Sequence, residues 1–530
     1  MRIDKVYIED YKNLKKFNID LDENEMKTVL LGQNASGKSN FMEALILIFK
    51  YLDLSTETKR LTTDFNYNII YSQKDKKINV SVINGSYKIL INDEKIKSLK
   101  LFFSKDSKVM YQPRYVFTYY SGLSNKLKEH FWDHQNNFYN KIISDDFKED
   151  ELDSLRKLFY VQLVHSYFVL LAYFTHEEED SLSFLNEVLN IEDIESILFV
   201  LKMPNWAKNR IKDNPNDIFW TAKGLVRPFL DKLWELSLAP IYHHEKVRID
   251  FDEVDPQDQL YLFLKGKEKL TQLADTYTSN SSLFKALEST YISKLISEVR
   301  IKVKKKNVDG SITFKELSEG EQQLLTVLGL LKFTNDEDSL ILLDEPDTHL
   351  NPIWKWRYLE FIDRVVKRPK STQIIINTHD PLVIGGLKKE EVRIFRTNKD
   401  GQINIEEPDI DPKARSVAGI LTSELFGLPS TVSKELEDKI NRKRYLQTLI
   451  DSGKLTDIEI DEYNKLVTEL NETGFYDVSM DSRFNKFIEL TSRHEVFQKS
   501  ILNDHELDEI ERISKEVAEE IMKERKSIEL

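Results

Sequence analysis

The 530-residue chain contains no cysteine. That excludes disulfides, thiolate zinc sites and thiol nucleophiles, and it fits a reducing compartment. Glycine (16 residues) and proline (13) are scarce, so long disordered tails are not expected. No apolar run reaches the ~20 residues a membrane span needs. The nearest, Leu158 to Phe174, carries Gln162, His165 and Ser166 and reads as a buried or subunit-facing helix. The opening Met1-Arg2-Ile3-Asp4-Lys5 has no apolar h-region, so no export signal is expected, and the expected location is the cytoplasm, without a membrane partner. Positive charge is also in short supply. A net charge of −14 argues against a surface that coats DNA throughout, although a local basic groove fits within it.

What is present is a chain long enough for two or three domains with a large core. Three aliphatic runs stand out, each ending abruptly in polar residues. Thr28-Val29-Leu30-Leu31 runs into Gly32-Gln33-Asn34-Ala35-Ser36-Gly37-Lys38-Ser39. This matches G-x-x-x-x-G-K-[ST] between a strand and an apolar helix, the context such a phosphate-binding loop requires. Its backbone N–H groups wrap phosphates, Lys38 reaches the outer phosphates, and Ser39 can place its hydroxyl on Mg²⁺. Leu340-Ile341-Leu342-Leu343 stops at Asp344 and Glu345. One acid can hold a hard cation, and the other can orient an attacking water. Ile374-Ile375-Ile376 ends in Asn377-Thr378-His379-Asp380. If the three runs are parallel neighbours, covered on both faces, their polar ends meet on one sheet edge. His379 is then placed to sense a γ-phosphate.

Between these runs, Leu317-Ser318-Glu319-Gly320-Glu321 opens a helix. Ser318 and Glu321 form a capping box. Gly320 costs on the order of 1 kcal/mol in a first helical turn, and close approach of a phosphate to bare backbone would explain it. Residues from Asp53 to Tyr119 read as short strands of an antiparallel layer, with Tyr115–Tyr119 among them. Helices are expected from Leu123 to Leu238, and a strand-like region follows from Ile241 to Leu264. Val299 to Lys306 reads as a strand with Lys302, Lys304 and Lys306 on one face, a solvated edge guarded by lysine. His130 and His134 share a helix face with no carboxylate in view and are expected to be structural. Residues 410 to 530 read as helices with a charged end from Glu506 to Lys526.

Taken in order, GQNASGKS (32–39), LSEGEQQ (317–323), LILLDEPDTHLNP (340–352) and NTHDP (377–381) resemble the Walker A, signature, Walker B/D-loop and H-loop motifs of the ABC-type ATPases of the RecF, Rad50 and SMC class. IEDYKNLKKFNIDL looks like the opening strands of that class. The resemblance implies an α/β ABC-type P-loop ATPase head with a mixed sheet, split into residues 1–122 and 298–409. A large, mainly helical insertion (123–297) and a helical C-terminal region (410–530) accompany it, the latter being the expected seat of a partner. It implies ATP and Mg²⁺ as ligands, with Ser39 and Asp344 on the metal, Glu345 as general base and His379 at the γ-phosphate. It further implies a homodimer in which the Ser318–Glu321 turn of one chain caps ATP on the Lys38 loop of the other. The Q-loop glutamine has only Gln112 as a candidate. RYVFTYYSGLSNKL (114–127) and ILTSELFGLPSTVSKELEDKINRKR (420–444) resemble ATPases of anti-phage and restriction-associated operons, the Septu type among them. That implies a separate HNH-type nuclease and low ATP turnover, with no nuclease site in this chain. Nucleic acid would be met directly or through that partner. The alternatives are a RecF-like repair ATPase that binds DNA itself and, third, a transporter motor subunit.

Overall fold

The computed structural model describes residues 1–122, 126–144, 157–175, 179–211, 214, 216–248, 250–251, 254–306, 311–334, 338–366, 370–451, 456–472, 487, 490–491, 494–498, 509–518 and 521. Residues 506–508, 519–520 and 522–526 of the charged end lie outside them, as do residues 123–125 of the 114–127 stretch. Two compact units divide the chain, Met1–Arg415 and Ser416–Leu530.

The first unit is built on three sheets. A six-stranded antiparallel sheet has β1 (Arg2–Tyr11), β2 (Leu14–Asp20), β4 (Tyr67–Gln73), β5 (Lys76–Ile83), β6 (Ser86–Ile91) and β7 (Glu94–Lys95) in the order β2-β1-β4-β5-β6-β7. Apolar side chains alternate along it: Ile3, Val6 and Ile8 are buried, while Lys5, Tyr7 and Glu9 face outward. A seven-stranded sheet has β3 (Lys27–Gly32), β8 (Tyr115–Tyr120), β9 (Leu158–Tyr160), β15 (Ser339–Asp344), β16 (Thr372–Asn377), β17 (Val392–Thr397) and β18 (Ile403–Glu406) in the order β18-β17-β3-β16-β15-β8-β9. Its pairings are parallel except β17 with β18. Every residue of β15 and β16 is buried, as a parallel strand covered on both faces requires. Between these two sheets runs α1 (Lys38–Leu54), buried nearly all round. Phe41 sits 5.5 Å from Phe17 and 6.2 Å from Phe395, ring to ring. Each such buried apolar side chain contributes roughly 1.5–3 kcal/mol, so α1 is anchored along its whole length.

The insertion carries helices, among them α2 (Trp132–Ile142) and α3 (Val164–Tyr173), and no helix among the described residues is long and apolar enough to cross a membrane. The apolar Leu158–Phe174 run is β9 followed by α3, both buried. Helices outnumber strands there, yet a third sheet is also present. β10 (Ile191–Lys202), β11 (Ile241–Arg248), β12 (Val254–Lys265), β13 (Ile296–Lys305) and β14 (Ser311–Thr313) are ordered β11-β12-β10-β13-β14. β10 falls where helices were expected. Its buried Ile191, Ile194 and Ile197 recur every third residue, a helical spacing. Register shifts between Ile191 and Asp193 and between Ile194 and Ser196 re-aim the strand so that residues three apart share a face. β13 is not a sheet edge either. It pairs with β10 on one side and, at Lys302–Lys304, with β14 on the other. β8 lies parallel to β15 and so belongs to the central sheet, not to the antiparallel layer.

Helices α4 (Glu319–Thr334) and α5 (Pro352–Val365) complete the unit. Asn351 caps α5 by accepting from Trp354 N at 2.9 Å, with Pro352 at its first position. The second unit holds α6 (Lys434–Asp451) and α7 (Asp457–Glu472), joined by a two-pronged Arg442–Glu462 ion pair at 2.8 and 2.7 Å.

Candidate functional site

β3, β16 and β15 are adjacent parallel strands, so their polar ends do converge on one edge. After β3 the chain turns through Gly32 (φ 145°), Ala35 (φ 63°) and Gly37 (φ 98°) into α1. A Cβ on Gly32 would lie 2.5 Å from the Phe395 carbonyl oxygen, so packing as well as φ requires glycine there. Asn13 Nδ2 donates to Ala35 O at 2.9 Å and Asn40 Nδ2 donates to Asn13 Oδ1 at 2.7 Å, which pins the loop Gly32-Gln33-Asn34-Ala35-Ser36-Gly37 from outside. Lys38 Nζ lies inside it, donating to Gly32 O (2.8 Å), Gln33 O (3.1 Å) and Ser36 Oγ (3.3 Å). Burial pushes its pKa down to about 8, against the pull of Asp344 and Glu345.

The two neighbouring acids differ sharply. Asp344 is 1% exposed. Burial raises its pKa, opposed by hydrogen bonds from Asn377 and Ser39. Its Oδ1 accepts from Asn377 Nδ2, whereas its Oδ2 is buried with no hydrogen-bond partner among the described residues. Glu345 adopts a left-handed φ of 51°, costly for a non-glycine residue. The twist is held by Glu345 N donating to Asn377 O (2.8 Å) and Thr348 Oγ1 donating to Glu345 O (2.9 Å). It turns Glu345 away from the buried strand, and its carboxylate lies 3.6 Å from His379 Nε2. His379 has a lowered pKa, from burial and then from Lys38, with Glu345 opposing. A neutral imidazole keeps one N–H that can donate to a phosphate oxygen.

An orphaned carboxylate oxygen beside a serine hydroxyl and a lysine is a donor set that fits a hard divalent cation carrying a polyphosphate. Ser39 and Asp344 are the residues that could hold it. Mg²⁺ there would neutralise phosphate charge.

Reading the sequence missed several residues at this edge. Asp347, 4% exposed, accepts from Thr378 Oγ1 at 3.0 Å, and burial raises its pKa to about 6. Ser121, just past β8, is 3.0 Å from Thr348 Oγ1, and its N–H donates to Asp344 O at 3.2 Å. The signals were the acid in DEPD and the polar end of a strand already recognised. Gln112 is not at the site. Its side chain donates to Leu52 O at 3.0 Å, and Leu52 is roughly 20 Å along α1 from Lys38 at 1.5 Å per residue.

The signature turn is folded on itself. Ser318 N and Oγ both donate to Glu321 Oε2 (2.8 and 3.0 Å), and Glu321 N donates back to Ser318 Oγ (3.3 Å). Glu321 also meets Lys305 at 2.5 Å, and Glu319 meets His349 at 3.1 Å. Gly320 has an explanation other than the expected phosphate: a Cβ there would lie 2.5 Å from His349 O. Gln323 Oε1 accepts from His349 N at 3.0 Å, so α4 is keyed to the loop after β15. Among the described residues, none of the bonds of Ser318–Glu321 reaches Gly32–Ser39.

His130 and His134 have carboxylates after all, supplied by α1: Glu43 at 2.9 Å and Asp53 at 2.9 Å. Burial would raise the Glu43 pKa, but hydrogen bonds from His130, Lys12 and Lys126 hold it down at about 2. These pairs tie the segment from Lys126 to α2 onto the helix that follows the phosphate loop.

Fold and site together define an α/β P-loop ATPase head of the ABC type. The profile of the family described as "AAA domain, putative AbiEii toxin, Type IV TA system" matches residues 27–385, more than half of the chain, and the chain belongs to that family. It is similar to the Septu protein PtuA of Bacillus mycoides (strain KBAB4), 27% identical over 216 residues that cover 36% of this chain and 29% of that protein. It is similar to the Retron Ec83 probable ATPase of Escherichia coli, 23% identical over 446 residues, 76% of this chain and 72% of that one. The DNA replication and repair protein RecF of Clostridium acetobutylicum is 28% identical over 121 residues, 21% of this chain and 33% of that protein. Among solved structures, an SMC head domain from Thermotoga maritima aligns over 77% of this chain and 100% of its own, at 11% identity and a TM-score of 0.31. The chain thus spans under a third of the Septu relative's length.

Proposed function

We propose that this protein is a Mg²⁺-dependent ATPase that clasps ATP between two copies of itself and gates a separate nuclease in an anti-phage defence system. The observation that carries the first half is the unequal state of the two halves of the site. The Lys38 loop, Asp344, Glu345 and His379 gather on one edge, while Ser318 and Glu319 are exposed, and among the described residues the side chains of their turn bond only within it and to Lys305 and His349. A second chain is the natural source of a turn that faces the γ-phosphate.

In this reading Lys38 and the N–H groups of residues 32–39 bind the phosphates. Ser39 and Asp344 hold the metal. Glu345, turned outward beside His379, takes the proton of the attacking water at its carboxylate. His379 stays neutral and holds the γ-phosphate oxygen. Ser318 and the N–H groups of Glu319, Gly320 and Glu321 of the other chain close over that phosphate. The relatives named Septu protein and retron ATPase support the defence role, and a nuclease partner of HNH type follows from the Septu likeness.

Glu345→Gln keeps the shape and removes the base. We expect turnover to fall by ~10²–10⁴-fold while ATP binding persists and a dimer accumulates on a sizing column. Hydrolysis at the parental rate would remove Glu345 from the role. The RecF match supports a second reading, direct DNA binding without a nuclease. Salt-sensitive DNA binding by the purified chain, with DNA-stimulated turnover, would favour it.

A further inference from the structure

Outside the ATPase edge, the insertion encloses a cleft of about 530 Å³, within the range of small-ligand sites. One wall is α2, which presents Trp132, Gln135, Asn136 and Tyr139 at i, i+3, i+4 and i+7. Its other face buries His134, Phe138 and Ile142. The opposite walls are the end of β10 and the residues after it, the start of β12, and the end of the helix Asn280–Ile292 with Lys294 just beyond.

Four lysines line the cleft: Lys128, Lys202, Lys208 and Lys294. Among the described residues, none of their ammonium groups has a carboxylate partner. The cleft's two acids bond along its own wall and beside it, Asp255 to Gln257 at 3.0 Å and Asp258 to His244 at 2.7 Å, so the charged side chains of the lining sum to about +2. Gathering four like charges costs energy in any protein, and this one carries a net −14, so carboxylates to offset them were abundant. Lys294 takes the left-handed position (φ 67°) that ends the helix Asn280–Ile292, where Leu295 N donates back to Thr290 O at 3.3 Å, and so is fixed at the rim. Trp132 is 68% exposed, an apolar ring left in water at the mouth of a cationic cleft. Gln135, Asn136, Gln162, Asn205 and Gln257 add donors and acceptors around it.

Cations for phosphate, a free indole for stacking and carboxamides for ring edges are the chemistry of a nucleotide unit. We propose that this cleft binds a nucleotide unit, either as a free nucleotide or at the end of a single strand, as a site separate from the Lys38 loop. The proposal does not rest on the ATPase reading.

The test is calorimetric titration of the full chain, parental and Lys38→Ala, with no other nucleotide present, so that binding by the variant reports the cleft and not the phosphate loop. One arm uses AMP and the other a short 5′-phosphorylated oligothymidylate. Binding in either arm is expected, and the arm that binds identifies the source. Lys128→Glu combined with Lys208→Glu, both exposed and unpaired, should weaken it at least about tenfold, the scale of lost charged hydrogen bonds. Trp132→Ala should weaken it by a similar factor, the scale of lost base stacking, and Lys38→Ala should leave it unchanged. Absence of binding in both arms, binding indifferent to both cleft variants, or binding lost with Lys38→Ala would each overturn the assignment.

Discussion

The two halves of the ATPase site are built in opposite ways. The half formed by β3, β15 and β16 is preassembled around buried groups, with Glu345 and His379 reaching out of them at 42% and 37% exposure. Asp344 lies at 1% exposure, Asn377 bonds its carboxylate, and a twisted Glu345 is fixed by two hydrogen bonds. The half formed by the start of α4 is wet, and its polar groups satisfy one another. A buried half can set geometry and pKa without help. An exposed, self-satisfied turn gains function only by exchanging its internal bonds for bonds to something else. On the proposed reading, chemistry then sits in one chain and control in the meeting of two.

The largest effect should come from the buried half. Lys38→Ala removes charged hydrogen bonds that nucleotide phosphates would otherwise receive, and nucleotide affinity should fall by ~10²-fold or more. Ser318→Ala should leave single-chain nucleotide binding near parental while lowering turnover. Equal losses of binding in the two variants, measured by calorimetry, would erase the distinction between the halves.

Gly320→Ala probes how α4 is keyed to the loop after β15. Its Cβ would meet His349 O at 2.5 Å, so the helix start or the loop must shift, at a cost of ~1–3 kcal/mol. Thermal unfolding should show it without nucleotide. An unchanged Tm would return the glycine to the phosphate explanation.

Lys38 gives a pH signature. Its pKa is pushed down to about 8 by burial, and a bound phosphate would raise it again. Binding then favours the protonated amine, so nucleotide affinity should hold below pH 8 and decline as pH rises through it. A flat profile across that range would mean that the ammonium is not what meets the phosphate.

The smallest effect is Asp347→Asn. Its carboxyl is raised from 3.8 to about 6 by burial. A raised folded pKa contributes stability that is complete below 3.8 and is lost as pH climbs through 6. The amide removes that loss, so the variant should be more stable than the parent near neutrality and no more stable in acid.

Much of the buried half was legible in the sequence, because uninterrupted aliphatic strands and the polar residues that end them are local signals. The three strands that end in Gly32, Asp344 and Asn377, and the loop of residues 32–39 between strand and helix, could be read directly. What could not be read depends on partners distant in sequence. Two register shifts made β10 look helical at Ile191, Ile194 and Ile197. The glycine at 320 answers to a carbonyl at 349. His130 and His134 find Glu43 and Asp53 some eighty residues away. Tyr115–Tyr120 alternates no differently from the antiparallel strands before it, and only pairing with β15 assigns it to the central sheet.

The most direct test mixes two inactive proteins. Lys38→Ala lacks a working phosphate loop but keeps its signature turn, and Ser318→Arg has the reverse defect. In a mixed pair one complete site forms, from the loop of one chain and the turn of the other. ATP hydrolysis by the mixture should rise well above the sum of the separate variants. A mixture no more active than that sum, under conditions where mass measurement shows mixed pairs, would contradict a site shared between two chains.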